Sequence, residues 1–315
     1  MKNYRRRTCR LCDSRALTSV LALTPTPLAD AYVPTSQVHK PQRSYPLTLV
    51  LCNKCGHVQL QDVIHPESIY INYIYETVSS LGLVDHFNSY AQKVVQRIKP
   101  PTDSLVVDIG SNDGTLLKEF KKLGVRVLGI DPAKEIAQSA TKSGIETIPK
   151  FFTPTVARYM RKKYGPAAIV TANNLYANID DLDEFTIGVK ELLSSDGVFI
   201  FESFYLMDLV KHMVFDFIYH EHLSYFSVRP LIPFFQKHGM KLIDIEPIST
   251  KGGSLRYTVQ LAGGPRKISS SVANHVSMET TFGLQKIQTF KSFGDRIEKA
   301  KIELLRRIHK IIKQN

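Results

Sequence analysis

Tyr219, His220, Glu221 and His222 stand side by side in the stretch "FDFIYHEHLSYFS" (215–227). Four consecutive side chains that move protons or bind metal admit three readings: a metal site, a proton-transfer site, or a polar patch beside an aromatic core. A metal needs several ligands on one side. In an extended segment His220 and His222 share a face while Glu221 points away. On a helix Tyr219 and His222 approach each other, but i and i+2 neighbours do not. No further His or Asp cluster stands nearby in the sequence, so metal is the weakest of the three. Choosing between the others requires knowing what the stretch could act on.

The four cysteines form a second constellation, "CRLC" (Cys9, Cys12) and "CNKC" (Cys52, Cys55), with no fifth. Each C-x-x-C turn can aim two thiolates at one ion, and two turns close a tetrahedral shell with no open position. That chemistry is a structural zinc site. A redox dithiol is expected beside a βαβ unit, and paired disulfides belong to secreted chains. The 39 residues between the pairs exceed the spacing of compact zinc ribbons, and His57 is an alternative fourth ligand.

The elements that must position these groups follow from hydrophobic patterning. "SLVVDIGSNDGTLLKEFKKLG" (104–124) reads as a buried strand, a glycine turn and an amphipathic helix. "VRVLGIDPA" adds a strand over 125–130 that ends in Asp131, about twenty residues beyond the turn, where a ribose hydroxyl is held in such units. The turn lacks the G-x-G-x-x-G spacing of a dinucleotide site. Asp108, Gly110, Asn112 and Gly114 instead resemble the D-x-G-x-G-x-G turn of class I S-adenosylmethionine methyltransferases. Asn112 replaces the middle glycine, and asparagine tolerates positive φ better than most residues. That ligand carries a sulfonium and an ammonium and no phosphate, so Asp108 and Asp113 do not repel it. "AAIVTANN" is a strand ending at Asn173, and "DGVFIFES" is another ending at Glu202. "MKLIDIEPISTKGGSLRYTVQLAG" is a pair of strands around a glycine turn. The expected fold is α/β: a class I methyltransferase-type, Rossmann-like doubly wound sheet with an N-terminal zinc-binding module and a C-terminal helix. Ligands of such sheets lie at the carboxyl ends of the strands, where Gly110, Asp131, Asn173 and Glu202 fall.

The chain has 315 residues, 43% of them hydrophobic, enough for one large core and a small module. Its net charge of +12 suggests nucleic acid, but residues 1–10 contribute +5 and residues 283–315 contribute +6. Basic ends of this kind read as solvated faces, and no nucleic-acid signature accompanies them. No apolar run reaches membrane-span length, and the basic start leads into no signal core. A cytoplasmic protein without membrane or nucleic-acid partners is expected.

Taken together, "CRLC…PLADAYV", "YPLTLVLCNKCGHVQL", "YIYETVSS", "DIGSNDGTLL", "GIDPA", "YHEHLSYFS" and "KGGSLRYTV" resemble the sugar C-methyltransferases, in order, from Cys9 to about Val259. The resemblance implies a zinc domain over 1–66, an S-adenosylmethionine domain over 67–264, and over 265–315 a helical segment that starts a C-terminal domain of which most is lacking. It implies methyl transfer from S-adenosylmethionine to a ring carbon of a nucleotide-linked keto-deoxysugar, of dTDP type, through a base-generated enolate. On the family's Y-H-E-H motif the base falls on His222, with Tyr219 and Glu221 positioning the sugar or sharing the proton relay. The family's Y-x-Y tyrosine falls on Tyr75. Glu202, His220, Lys251 and Ser254 are the implied substrate contacts, and Cys9, Cys12, Cys52 and Cys55 the zinc ligands. Two alternatives stand beside it: O- or N-methylation of another small molecule, and a non-catalytic subunit of a split enzyme. Ile297, Ala300, Leu304, Ile308 and Ile311 form an apolar stripe that packs on the central domain, on a partner chain or a second copy, or stays exposed.

Overall fold

A strand as apolar as Leu105–Ile109, whose one polar residue is Asp108, stays out of water only if both faces of its sheet are covered. In the computed structural model, which describes residues 3–29, 32–70 and 82–314, all of that run is buried. The chain begins with β1 (Tyr4–Arg5), β2 (Leu17–Thr26), β3 (Tyr45–Cys52), β4 (Val58–Leu60) and β5 (Asp62–Val63), then α1 (Glu67–Tyr70) and α2 (Leu83–Ile98). An alternating series follows: β6 (Leu105–Ile109), α3 (Thr115–Lys122), β7 (Arg126–Ile130), α4 (Lys134–Lys142), β8 (Thr147–Ile148), α5 (Pro154–Tyr164), β9 (Ala167–Thr171), α6 (Leu182–Leu192) and β10 (Leu193–Phe204). Then come α7 (Leu206–His212), β11 (Ser224–Tyr225), α8 (Val228–Lys237), β12 (Met240–Ile248), β13 (Ser254–Leu261), α9 (Ser270–Phe282) and α10 (Ile287–Gln314).

The central sheet has the order β12-β13-β10-β9-β6-β7-β8 among the described residues. β8, β7, β6, β9 and β10 run parallel, and β13 joins antiparallel to β10 and to β12. The helix starts obey local chemistry. Thr153 accepts the Val156 N–H through Oγ1 (3.3 Å) ahead of Pro154, and Asp181 accepts the Glu184 N–H through Oδ1 (2.8 Å). β10 runs past Glu202 to Phe204, so Glu202 lies inside the strand, paired with Arg256 of β13.

The N-terminal sheet has the order β11-β4-β3-β2. Its edge strand β11 comes from residues 224–225, which pair with Gln59 and Val58. The segment immediately after the Y-H-E-H motif therefore belongs to the cysteine-bearing sheet, a long-range pairing that local patterning does not reveal.

α10 divides in two. Phe290, Phe293 and Ile297 are buried, and Gly294 lets the helix approach β2, where an added Cβ would sit 3.2 Å from Leu21 Cδ1. Leu304, Ile308 and Ile311 are exposed. The basic start of the chain is not simply a solvated face either, because the Arg10 side chain is fully buried. Among the described residues no helix is long and apolar enough to cross a membrane.

Candidate active site

A cavity of about 560 Å³ opens at the carboxyl ends of β6, β7 and β9. That volume is in the range of small-molecule sites. The glycine turn forms one wall. Gly110, Asn112 and Gly114 all have positive φ (72°, 50° and 76°), so asparagine adopts the left-handed conformation expected of it. Gly129 of β7 makes room for this turn: a Cβ there would fall 2.4 Å from Ser111 Oγ. Gly114 starts α3 against Ile145 and does not line the cavity.

Two acids face the same space. Asp131 accepts the Asn112 N–H on Oδ2 (3.0 Å) and the Ala133 N–H on Oδ1 (2.9 Å), which fixes both oxygens and leaves each a further lone pair. Burial raises its affinity for a proton, against those two backbone bonds. Asp108 accepts the Thr171 hydroxyl at 2.6 Å. Burial pushes its carboxyl up to about 7, with the Thr171 bond opposing and the Asp131 charge adding. Two buried acids on one cavity suit a cationic ligand. Asn173 also lines the cavity and accepts the Glu202 N–H through Oδ1 (3.0 Å).

Tyr219, His220, Glu221 and His222 line this same cavity, together with Lys251. The His222 ring packs against Tyr219, Phe204 and Phe217, with centroids 4.1, 4.6 and 5.7 Å away. Its Nδ1 donates to the Phe217 carbonyl at 2.8 Å. A carbonyl only accepts, so Nδ1 carries the hydrogen and Nε2 keeps its lone pair. Burial pulls the imidazole down to about 3, the Phe217 bond opposes, and the Lys251 charge adds to the depression. His222 is thus a neutral acceptor of defined tautomer. His220 Nε2 donates to the Tyr45 carbonyl at 3.2 Å, which anchors the motif to β3; burial lowers its basicity. Lys251 adopts a left-handed φ of 56° in the turn before β13. Burial lowers its basicity, while the charges of Glu221 and Glu202 hold it up.

Two implied substrate contacts are not among the described residues that line the cavity. Glu202 is not among the cavity-lining residues: its carboxylate accepts from Arg256 Nε (2.8 Å) and bonds His86 Nε2 (2.7 Å). The Arg256 guanidinium in turn lies 4.1 Å from the Tyr90 ring centroid. Ser254 donates to the Thr250 carbonyl (3.1 Å) and likewise does not line the cavity. Tyr75 lies outside the described residues. Lining residues not anticipated include Phe151 and Phe152 beyond β8, and Asp180 and Asp181 before α6. Their signal was available, since they occupy the strand-to-helix loops of the same sheet face. Arg10 was hidden inside a cysteine motif.

The cysteine cluster fits one zinc ion. All four Sγ atoms lie within 4.8 Å of one another, with Cys9–Cys55 and Cys12–Cys52 both 3.6 Å apart. A tetrahedron with Zn–S bonds of about 2.3 Å needs sulfurs roughly 3.8 Å apart. It is the one such cluster among the described residues. His57 is not a fourth ligand: its Nε2 contacts Ser224 Oγ (3.3 Å) and its ring stacks on Phe226. Bound zinc would be closed to substrate and would serve the fold.

Three family models match in tandem: a zinc binding domain over residues 9–70, a methyltransferase domain over 84–245, and a C-methyltransferase C-terminal domain over 249–315. C-methyltransferase NovU of Streptomyces niveus is 32% identical over 296 residues, covering 94% of this chain and 70% of that protein. Among solved structures, magnesium protoporphyrin IX methyltransferase of Synechocystis PCC 6803 with bound SAH aligns with a TM-score of 0.44 at 15% identity, over 57% of this chain and 83% of its own. An S-adenosylmethionine-dependent methyltransferase of Clostridium acetobutylicum aligns with a TM-score of 0.45 at 12% identity, over 57% and 92%.

Proposed function

The chain belongs to the S-adenosylmethionine-dependent C-methyltransferases, and from that premise we propose that it methylates a ring carbon of a nucleotide-linked keto-deoxysugar, of dTDP type, with His222 as base. One observation carries the reading: the glycine turn with Asp131 and the loop with His222 line one cavity. A donor held at that turn and a base at His222 would then face each other's reactants within one cavity.

S-Adenosylmethionine, when bound, supplies an electrophilic sulfonium methyl. Asp131 suits its ribose hydroxyls, and Asp108 adds negative charge to a cavity that takes a cation. Asn112 and Gly110 keep the turn low enough for close approach. On the acceptor side, a ring carbon next to a ketone becomes nucleophilic only after losing a proton. His222 Nε2 takes that proton, and the Phe217 carbonyl supports the imidazolium through Nδ1–H. The C–H electron pair moves into the enolate, whose oxygen gains the negative charge. Lys251 lies on the same cavity and offers the compensating charge. Tyr219 holds the imidazole by ring contact, and Glu221 balances Lys251.

A base pulled down to about 3 is weak in the empty cavity. Burial is the main cause, and an anionic nucleotide-sugar acts on the lesser one: its charge offsets Lys251 and favours the imidazolium. Basicity then rises when acceptor is present. The test is incubation with isotope-labelled methyl donor and a panel of nucleotide-linked 4-keto sugars. The reading expects one acceptor to gain a methyl on carbon, located by product NMR. A label found on oxygen or nitrogen would replace it with a heteroatom transfer.

A further inference from the structure

We infer that Arg10, the residue inside the first cysteine knuckle, is a positioning residue that ties zinc binding to the geometry of the base-bearing loop. This rests on the assignment of His222 as the base.

Arg10 lies between two zinc-site cysteines, Cys9 and Cys12, yet its side chain points away from solvent entirely, with 0% exposure. It spans three partners. Nε donates to Asp180 Oδ1 at 2.9 Å, and Nη1 donates to the Leu60 carbonyl (2.7 Å) and the Leu223 carbonyl (3.2 Å). Nη2 lies 2.8 Å from the same Asp180 oxygen. Only a planar guanidinium reaches a carboxylate and two carbonyls at once. Its own N–H is held by Gln59 Oε1 (2.8 Å).

Each partner matters to the cavity. Leu223 follows His222 directly and is pinned from three sides. Arg10 and the Leu60 N–H hold its carbonyl, while its own N–H donates to the Ala177 carbonyl at 2.9 Å. Leu60 ends β4, the strand to which β11 is added. Asp180 lines the cavity and also accepts from Tyr4 and Arg6, so three side chains of the N-terminal module converge on it. The second knuckle adds its own tie, from His57 to Ser224. A folded zinc site therefore holds Arg10 in place. Arg10 in turn holds the carbonyl next to His222 and the cavity wall at Asp180. Loosening that grip lets the loop from Phe217 to Leu223 move, and with it the bond that sets the His222 tautomer.

The test uses zinc-loaded full chain with ¹⁵N-labelled histidine, the His222 signals being identified by their loss in His222→Gln. Wild type is expected to show a single tautomer, protonated at Nδ1. In Arg10→Gln, zinc content stays at wild type and donor affinity stays within about twofold, while the His222 nitrogen signals shift toward an average of both tautomers. Arg10→Lys, which keeps the charge without the fork, restores them only in part. With an acceptor in hand, kcat falls on the order of a hundredfold with little change in donor KM. If Arg10→Gln does not fold, Arg10→Lys alone decides: displaced signals support the assignment, and wild-type signals refute it. Zinc-loaded Arg10→Gln with wild-type His222 signals overturns the inference. The readout needs no acceptor, so failure of the sugar assignment leaves it intact.

Discussion

His222 and Phe217, five residues apart, close a small ring: the imidazole Nδ1 donates to the Phe217 carbonyl at 2.8 Å, and the two rings stack 5.7 Å apart. The bond leaves Nε2 as acceptor, and the burial that accompanies it holds His222 down to about 3. A depressed basicity in the folded state has a thermodynamic sign. Between pH 6.5 and 3 the unfolded chain binds a proton that folded His222 refuses, so stability is present above 6.5 and declines as pH falls toward 3. Urea unfolding at pH 7.5 and pH 5 should show His222→Gln losing less stability on acidification than wild type, by on the order of 1–2 kcal/mol. Equal losses would mean that the imidazole is solvated.

Asp108 has the opposite sense. Burial pushes its carboxyl up to about 7, so near neutrality the empty protein holds it partly protonated. A cationic donor favours the ionised form. Donor binding should therefore release protons around pH 7, and affinity should weaken as pH falls below it, measured by calorimetry in buffers of different ionisation heat. Asp108→Asn should remove the proton release and weaken S-adenosylmethionine by roughly tenfold, and S-adenosylhomocysteine, which lacks the sulfonium charge, by less.

The cysteine cluster predicts about one zinc per chain in freshly purified protein, by atomic emission. Cys52→Ser should lose the metal. Because β11 is an edge strand of the same sheet, that variant should also lose methyl transfer, although Cys52 does not line the cavity. Full activity without zinc would separate the module from the site.

Glu202 and Arg256 form a buried pair across β10 and β13, with Arg256 also over Tyr90. Removing Glu202 leaves Arg256 paired only with Glu246 Oε2 (2.9 Å), so the cost should fall below the about 3–5 kcal/mol of a fully stranded buried charge. Glu202→Gln should lower the melting temperature and leave acceptor KM near wild type. A selective rise in KM would return Glu202 to the substrate.

What the sequence made legible was local. The two C-x-x-C turns, the alternating positive-φ positions Gly110, Asn112 and Gly114, and Asp131 at the end of its strand depend on neighbours within a few residues. The end of β10 was not legible at Glu202: the strand continues two residues beyond it, held by pairing with β13 that patterning over 197–202 does not contain. The same holds for β11. Ser224 and Tyr225 look like the tail of a polar motif until they pair with Gln59 and Val58, far away in the chain. Arg10 read as one more charge in a basic run, and only the fold brings it to Asp180.

The central claim, that His222 takes a proton from the carbon beside a ketone, is tested most directly without any methyl transfer. The protein is incubated in D₂O with a nucleotide-linked 4-keto sugar and S-adenosylhomocysteine, and loss of the ring proton is followed by NMR. Wild type should exchange one ring position, and His222→Ala should do so slower by on the order of a hundredfold or more while binding S-adenosylmethionine normally. Exchange by His222→Ala at close to the wild-type rate would contradict the account.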